Sequence, residues 1–186
     1  MKKMILTAIA VFTLSFINAQ DNEQTSKGKF LVEGNTNFGG IEFIGISNGN
    51  AANTGFSFYS FEDEGPSGFN IGAEAGYFII DNLALKLGLG FGSFKPNNDS
   101  DSSTSFSYKI GAKYYIISKI PVQVDFTGAS IEDAEDNPSF IGLQGGYALF
   151  LGDHISVEPG LRYNLSTDDE IYSSFLQLNV GFALHF

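Results

Sequence analysis

From Leu176 to the carboxyl end every even position is large and apolar (Leu176, Leu178, Val180, Phe182, Leu184, Phe186), while the odd positions carry Gln177, Asn179, Gly181, Ala183 and His185. Successive side chains of a strand point to opposite faces, so this period of two reads as a strand with one greasy face and one polar or small face. The pattern recurs upstream. Apolar faces read Phe69, Ile71, Ala73, Ala75, Tyr77, Ile79; Leu83, Leu85, Leu87, Leu89, Phe91; and Phe106, Tyr108, Ile110, Ala112, Tyr114, Ile116. They continue as Val122, Val124, Phe126; Ile141, Leu143, Gly145, Tyr147, Leu149, Leu151; and Ile155, Val157, Pro159, Leu161, Tyr163, Leu165. No charge falls on any of them. A soluble barrel would turn its greasy face inward and its charges outward, but the opposite face holds only Glu74, Lys86, Lys109, Lys113, Asp125, Glu158 and Arg162. Those are too few and too clustered to cover a soluble exterior. The apolar face is therefore expected outside, against lipid, on a sheet closed on itself because hydrocarbon tolerates no unpaired edge.

The punctuation between strands is asymmetric. Gly76-Tyr77-Phe78-Ile79-Ile80 runs into Asp81-Asn82, Lys113-Tyr114-Tyr115-Ile116-Ile117 into Ser118-Lys119, and Gly146 to Leu151 into Gly152-Asp153. These are strand ends meeting tight turns. The opposite ends meet longer polar stretches: Gly39 to Gly68, Lys95 to Thr104, Gly128 to Ser139 and Ser166 to Glu170. Short turns at one end and long loops at the other are the layout of an up-and-down transmembrane barrel, whose short turns face the periplasm. Strands are predicted at about 28–38, 69–80, 83–94, 104–117, 120–128, 138–151, 154–165 and 171–186. The fold class is thus all-β, an eight-stranded antiparallel up-and-down transmembrane β-barrel. Residues 53–61, with Phe56, Phe58 and Phe61, are assigned to an extension of the first hairpin projecting beyond the membrane.

The amino end bears on location. Lys2 and Lys3 precede an apolar run from Met4 to Phe16, and Ala19 offers a small residue before Gln20. This reads as a cleaved secretory signal over residues 1–19, because the run falls short of the ~20 residues that a spanning helix needs. The barrel domain then occupies 20–186. With 0 cysteines the chain has neither disulfides nor thiolate metal sites. Loss of Lys2 and Lys3 leaves 8 basic against 21 acidic residues, a formal charge of about −13. Such a surface repels nucleic acid.

The hairpins Ala75 to Phe94 (AGYFIIDNLALKLGLGFGSF) and Gly145 to Leu165 (GYALFLGDHISVEPGLRYNL after Gly145), with the closing LQLNVGFALHF, carry a family resemblance. With them the chain resembles the small outer-membrane β-barrel proteins of Bacteroidota-type genomes, whose architecture is that of the OmpX and OmpA barrels. The resemblance implies the bacterial outer membrane, contact with its lipid, and assembly by the outer-membrane barrel-assembly machinery. The closing strand, with Phe182, Leu184 and Phe186, would serve as the assembly signal. It implies no catalytic motif.

An eight-stranded barrel is just wide enough for side chains to fill. Its inward positions carry four acids, Glu33, Glu74, Asp125 and Glu158, and four bases, Lys86, Lys109, Lys113 and Arg162. Matched charges in a narrow interior favour a salt-bridged plug, the alternative being a gated ion path. The outer loops gather acids, among them Glu62, Asp63, Glu64, Asp99, Asp101, Glu132, Asp133, Glu135, Asp136, Asp168, Asp169 and Glu170. Hard divalent cations, or lipopolysaccharide bridged through them, could collect there, although a solvated rim explains the same residues. Neither Asp99-Ser100-Asp101 nor Asp21-Asn22-Glu23 continues into a calcium loop, since Thr104 and Ser26 stand where glycine is required. His154 and His185 are expected at the interface, and no histidine falls near the outer rim to serve a Ser-His-acid site. Tyr77, Tyr114, Tyr147 and Phe182 read as an aromatic girdle at headgroup level. The expectation is a monomeric, non-enzymatic barrel without cofactor or metal, with a structural or surface-interaction role; the alternative is a small porin-like channel.

Overall fold

The computed structural model describes residues 22–40, 54–61, 65–97, 101–132 and 134–186. The expected signal segment and the loop acids Glu62, Asp63, Glu64, Asp99 and Asp133 lie outside them. A 3-10 turn, Asn22–Thr25, leads into β1 (Phe30–Gly40), followed by β2 (Ser57–Ser60), β3 (Ser67–Ile80), β4 (Leu83–Lys95) and β5 (Ser103–Ile116). Then come β6 (Ile120–Ile131), β7 (Ser139–Gly146), β8 (Leu149–Phe150), β9 (Ile155–Ser166) and β10 (Phe175–His185). All pairings between these strands are antiparallel. The sheet closes because β1 pairs on one side with β10 (Leu31 opposite His185) and on the other with β3 (Leu31 opposite Gly76). With β7 and β8 taken as one interrupted strand, the wall is an eight-stranded barrel, to which β2 adds a short edge.

Parity holds around the wall. On β4, Leu85, Leu87 and Leu89 are exposed on the outside while Ala84 and Lys86 are buried within, and β3, β5, β9 and β10 alternate likewise. A one-residue slip on any strand would turn its charges outward, so the interior charges and the apolar exterior enforce one register.

Two elements depart from expectation. The strand predicted at 138–151 is interrupted at Tyr147–Ala148, although the register on β9 does not slip. The cause is Pro159: Tyr147 N–H donates to its carbonyl at 3.0 Å, but proline has no N–H to return the bond. On its other edge the strand keeps the register set by β6, Ala148 N–H donating to the Lys119 carbonyl at 2.7 Å. The second departure concerns residues 53–61. β2 does extend β3, Ser57–Ser60 lying opposite Ser67–Asn70, but residues 54–56 turn back into the wall instead of projecting from it. Direct β1–β3 pairing stops at Glu33, and beyond it Phe56 N–H donates to the Asn35 carbonyl at 2.8 Å. Asn70 Nδ2 holds the Gly55 carbonyl at 2.6 Å. The Phe56 ring lies on the outside, 3.7 Å from where a Cβ of Gly34 would be, and Thr54 is buried on the inside.

The turn between β5 and β6 has positive φ at both central residues, Ile117 (49°) and Ser118 (56°), with Lys119 N–H bonded to the Ile116 carbonyl at 3.1 Å. That is a type I′ hairpin turn, the kind that matches strand twist. It sits at the short-turn end, as do Asp81–Asn82 and Gly152–His154.

Candidate functional site in the barrel interior

All eight charged residues expected inside the barrel are buried there: Glu33 from β1, Glu74 from β3, Lys86 from β4, Lys109 and Lys113 from β5, Asp125 from β6, and Glu158 and Arg162 from β9. Six of them form a file in which charge alternates. Glu158 meets Lys113, Lys113 meets Glu33 at 2.6 Å, Glu33 meets Lys86 at 2.8 Å, Lys86 meets Glu74 at 2.7 Å, and Glu74 meets Lys109 at 2.5 Å. Each interior member of the file therefore touches two opposite charges. Moving such ions out of water costs several kcal/mol apiece, and this arrangement recovers it through close partners and further hydrogen bonds.

Arg162 and Asp125 form the remaining pair, both guanidinium nitrogens donating to both carboxylate oxygens at 2.6 Å. Two parallel bonds to a planar carboxylate give this pair a fixed geometry that a lysine would not. Gln123 ties the pair to the file: it accepts from Lys86 Nζ at 2.9 Å and donates to Asp125 at 2.8 Å. The wall makes room through glycine. A Cβ on inward Gly142 would fall inside the Arg162 guanidinium.

Above and below the charges the interior is differently filled. At the short-turn end Phe78, Tyr115, Leu31, Ala84, Ala148 and Ala183 form an apolar plug with Phe150 packed against it. His185 is fully buried in that plug, which corrects the expectation that it lies at the interface. Its parity on β10 points inward, and it is held by Ser156 Oγ at Nε2 and the Gln24 carbonyl at Nδ1, each 3.0 Å away. His154 is the exposed neighbour, its Nδ1 3.0 Å from the His185 carbonyl. The Tyr115 hydroxyl and Ser156 Oγ both donate to Glu158 Oε1 at 2.8 Å, joining plug to charge file. Beneath, Thr25 of the 3-10 turn is fully buried, donating to Asn82 Oδ1 at 2.6 Å. At the other end Phe140 is buried against Phe175, ring centroids 5.5 Å apart, and Tyr172.

Sequence parity alone points Tyr115, Gln123, Ser156 and His185 inward, since they stand two residues from Lys113, Asp125, Glu158 and Ala183. Of these, Tyr115, Gln123 and Ser156 carry no formal charge to mark them. Thr54, which donates to Glu74 at 2.8 Å, and the Gln24–Thr25 cap carry no such signal.

The expected assembly residues Phe182, Leu184 and Phe186 are exposed on the outer face of β10 and just beyond it. Phe186 also closes the wall, exchanging backbone hydrogen bonds with Phe30 at 3.0 and 3.1 Å. Tyr77, Tyr114 and Tyr147 are outward and partly exposed near the short turns. On the long-loop side Glu132 accepts from Thr104 Oγ1 at 2.7 Å, and the Tyr172 hydroxyl donates to the Asp136 carbonyl at 2.8 Å. Partial burial, then the charges of Asp136 and Asp168, raise the Tyr172 phenol above its ordinary pKa. Among the described residues no three His, Asp or Glu side chains converge as metal ligands.

No family model matches the chain, and no curated protein matches it significantly. Solved structures of similar shape include the N-terminal β-barrel domain of OprF from Pseudomonas aeruginosa, at 10% identity and TM-score 0.44, covering 86% of this chain and 98% of that one. The outer membrane protein OprG of the same organism is 10% identical with TM-score 0.49, covering 89% and 99%. Ail of Yersinia pestis in a phospholipid bilayer nanodisc is 10% identical with TM-score 0.48, covering 86% and 100%. At such identity and overlap these likenesses add nothing to the barrel that strand pairing defines.

Proposed function

We propose that the chain is a non-enzymatic, non-conducting barrel of the bacterial outer membrane with a structural or surface-interaction role. The observation that carries this is the filled interior: a file of alternating charges resting on an apolar plug that the Gln24–Thr25 cap closes from below. The uncharged, apolar exterior supports a lipid surround. Export would use the signal over residues 1–19, and the barrel-assembly machinery would read the strand ending at Phe186. The long acidic loops are then the surface available to partners outside the cell.

One observation favours a small pore instead. Glu33 Oε1 has no hydrogen-bond partner among the described residues, and it lies 3.0 Å from the point a Cβ of inward Gly181 would occupy. Planar-bilayer recordings of the refolded protein decide between the two. The plug reading expects no steady conductance, and ion-selective channels that change with Lys113→Ala would replace it with the pore.

A further inference from the structure

His185 Nδ1 lies 3.0 Å from the Gln24 carbonyl, and its Nε2 lies 3.0 Å from Ser156 Oγ, which in turn lies 2.8 Å from Glu158 Oε1. His185 and Ser156 are fully buried, so their polar atoms depend on one another for partners. The protons along this chain can therefore be counted. A carbonyl oxygen only accepts, so Nδ1 carries a proton. Glu158 is ion-paired with Lys113, and a carboxylate also only accepts. The single proton of the Ser156 hydroxyl thus goes to Glu158, and Nε2 must donate to Ser156. Only an imidazolium satisfies all three contacts together.

A neutral ring has one proton fewer, and Nε2 is the nitrogen that loses it, because Nδ1 faces the carbonyl. The bare Nε2 then draws the Ser156 hydroxyl to itself, and the contact between Ser156 and Glu158 is left without a proton. Glu158 Oε1 still accepts from the Tyr115 hydroxyl at 2.8 Å, so neither state strands a buried polar atom. Two satisfied arrangements that differ by one proton make a switch. The other charged or titratable groups facing the ring are already engaged. Lys113 of β5 donates to Glu33 of β1 and to Glu158 of β9, and Tyr115 donates to Glu158. From β3 and β8 only the Phe78 and Phe150 rings pack against the imidazole. Around the cap Glu23, Asp81, Asp153 and His154 are exposed, and the Phe186 carbonyl oxygen accepts from Phe30 N–H.

We propose that His185 and Ser156 form a proton-controlled latch between the Gln24–Thr25 cap and the charge file. With the ring doubly protonated, hydrogen bonds run unbroken from Gln24 through His185 and Ser156 to Glu158. Loss of the Nε2 proton to water at the short-turn end turns the hydroxyl and parts Ser156 from Glu158.

The test is nuclear magnetic resonance of the full barrel in detergent micelles, isotope-labelled at histidine and glutamate, between about pH 8 and pH 5, the interval in which histidine titrates. His154→Gln assigns the two histidines. At the acid end both ring nitrogens of His185 should be protonated, and at the alkaline end Nδ1 alone. The side-chain carboxyl signal of Glu158 should shift with the same midpoint. Ser156→Ala, its folding verified by heat-dependent gel mobility, should abolish most of that Glu158 shift while His185 still titrates. A His185 ring that keeps one protonation state throughout, or a neutral ring protonated at Nε2, overturns the latch, and the wild type alone gives that answer. So does a Glu158 shift that survives Ser156→Ala, which would make it a response to the ring's charge and not to the hydroxyl.

Discussion

Arg162 grips Asp125 through both terminal guanidinium nitrogens, each 2.6 Å from a different carboxylate oxygen. Removing one partner strands the other charge in the interior, so Asp125→Ala or Arg162→Ala should each destabilise by about 3–5 kcal/mol. The double change Asp125→Leu with Arg162→Met should recover most of that loss, because no charge is left unpaired. Urea unfolding in lipid vesicles measures both. Gly142→Ala, which places a methyl group in the guanidinium's space, should cost about 1–3 kcal/mol by overpacking.

The lipid face makes a depth-dependent prediction. Leu87 is 63% exposed at the middle of β4, and Ile116 is exposed at the short-turn end of β5. Leu87→Arg should destabilise by roughly 2–4 kcal/mol, and Ile116→Arg by about 0–1, because arginine near the interface reaches water. Equal costs at the two positions would contradict a membrane centred on Leu87. The measurement is again unfolding from vesicles.

The carboxyl end has a role in the wall as well as the proposed role as a signal. Deleting Phe186 removes both hydrogen bonds to Phe30, so it should lower the yield of inserted barrel and leave chain in the periplasm. Because the family resemblance puts the assembly signal at the carboxyl end, deleting Asp21 to Ser26 should matter far less for insertion. The burial of Thr25 refines that: its loss should spare insertion yet loosen the short-turn end. Faster amide exchange at Asn82 and Tyr115 would report it, Tyr115 N–H being bonded to the Asn82 carbonyl at 2.9 Å. Unchanged exchange would mean the cap contributes nothing.

Ile117 holds φ at 49°, a conformation that its branched Cβ resists, and its side chain is 75% exposed, so little packing depends on it. Ile117→Asn should therefore stabilise the barrel by about 0.5–1 kcal/mol, since asparagine tolerates the left-handed region. A shifted urea midpoint with unchanged slope would show it. Loss of stability would mean the isoleucine anchors the turn in the headgroup layer.

Period-two patterning settles which face of each strand is apolar, because side-chain direction in a strand depends on position alone, and eight strands with alternating short turns and long loops follow from it. The strictness of that rule also places Glu33, Glu74, Lys86 and their fellows inside before any contact is known. It does not say which charge meets which. That depends on height around a closed, sheared wall, set only when β1 pairs with both β10 and β3, and this is why Arg162 finds Asp125 and not Glu158. The interruption at Tyr147–Ala148 needed the register too, since Pro159 acts on the strand opposite it. Thr54 and Phe56 sealing the β1–β3 seam, and Thr25 closing the plug, are contacts between segments without periodicity. Nothing local marks such segments, and only the space left by the finished barrel determines where they go.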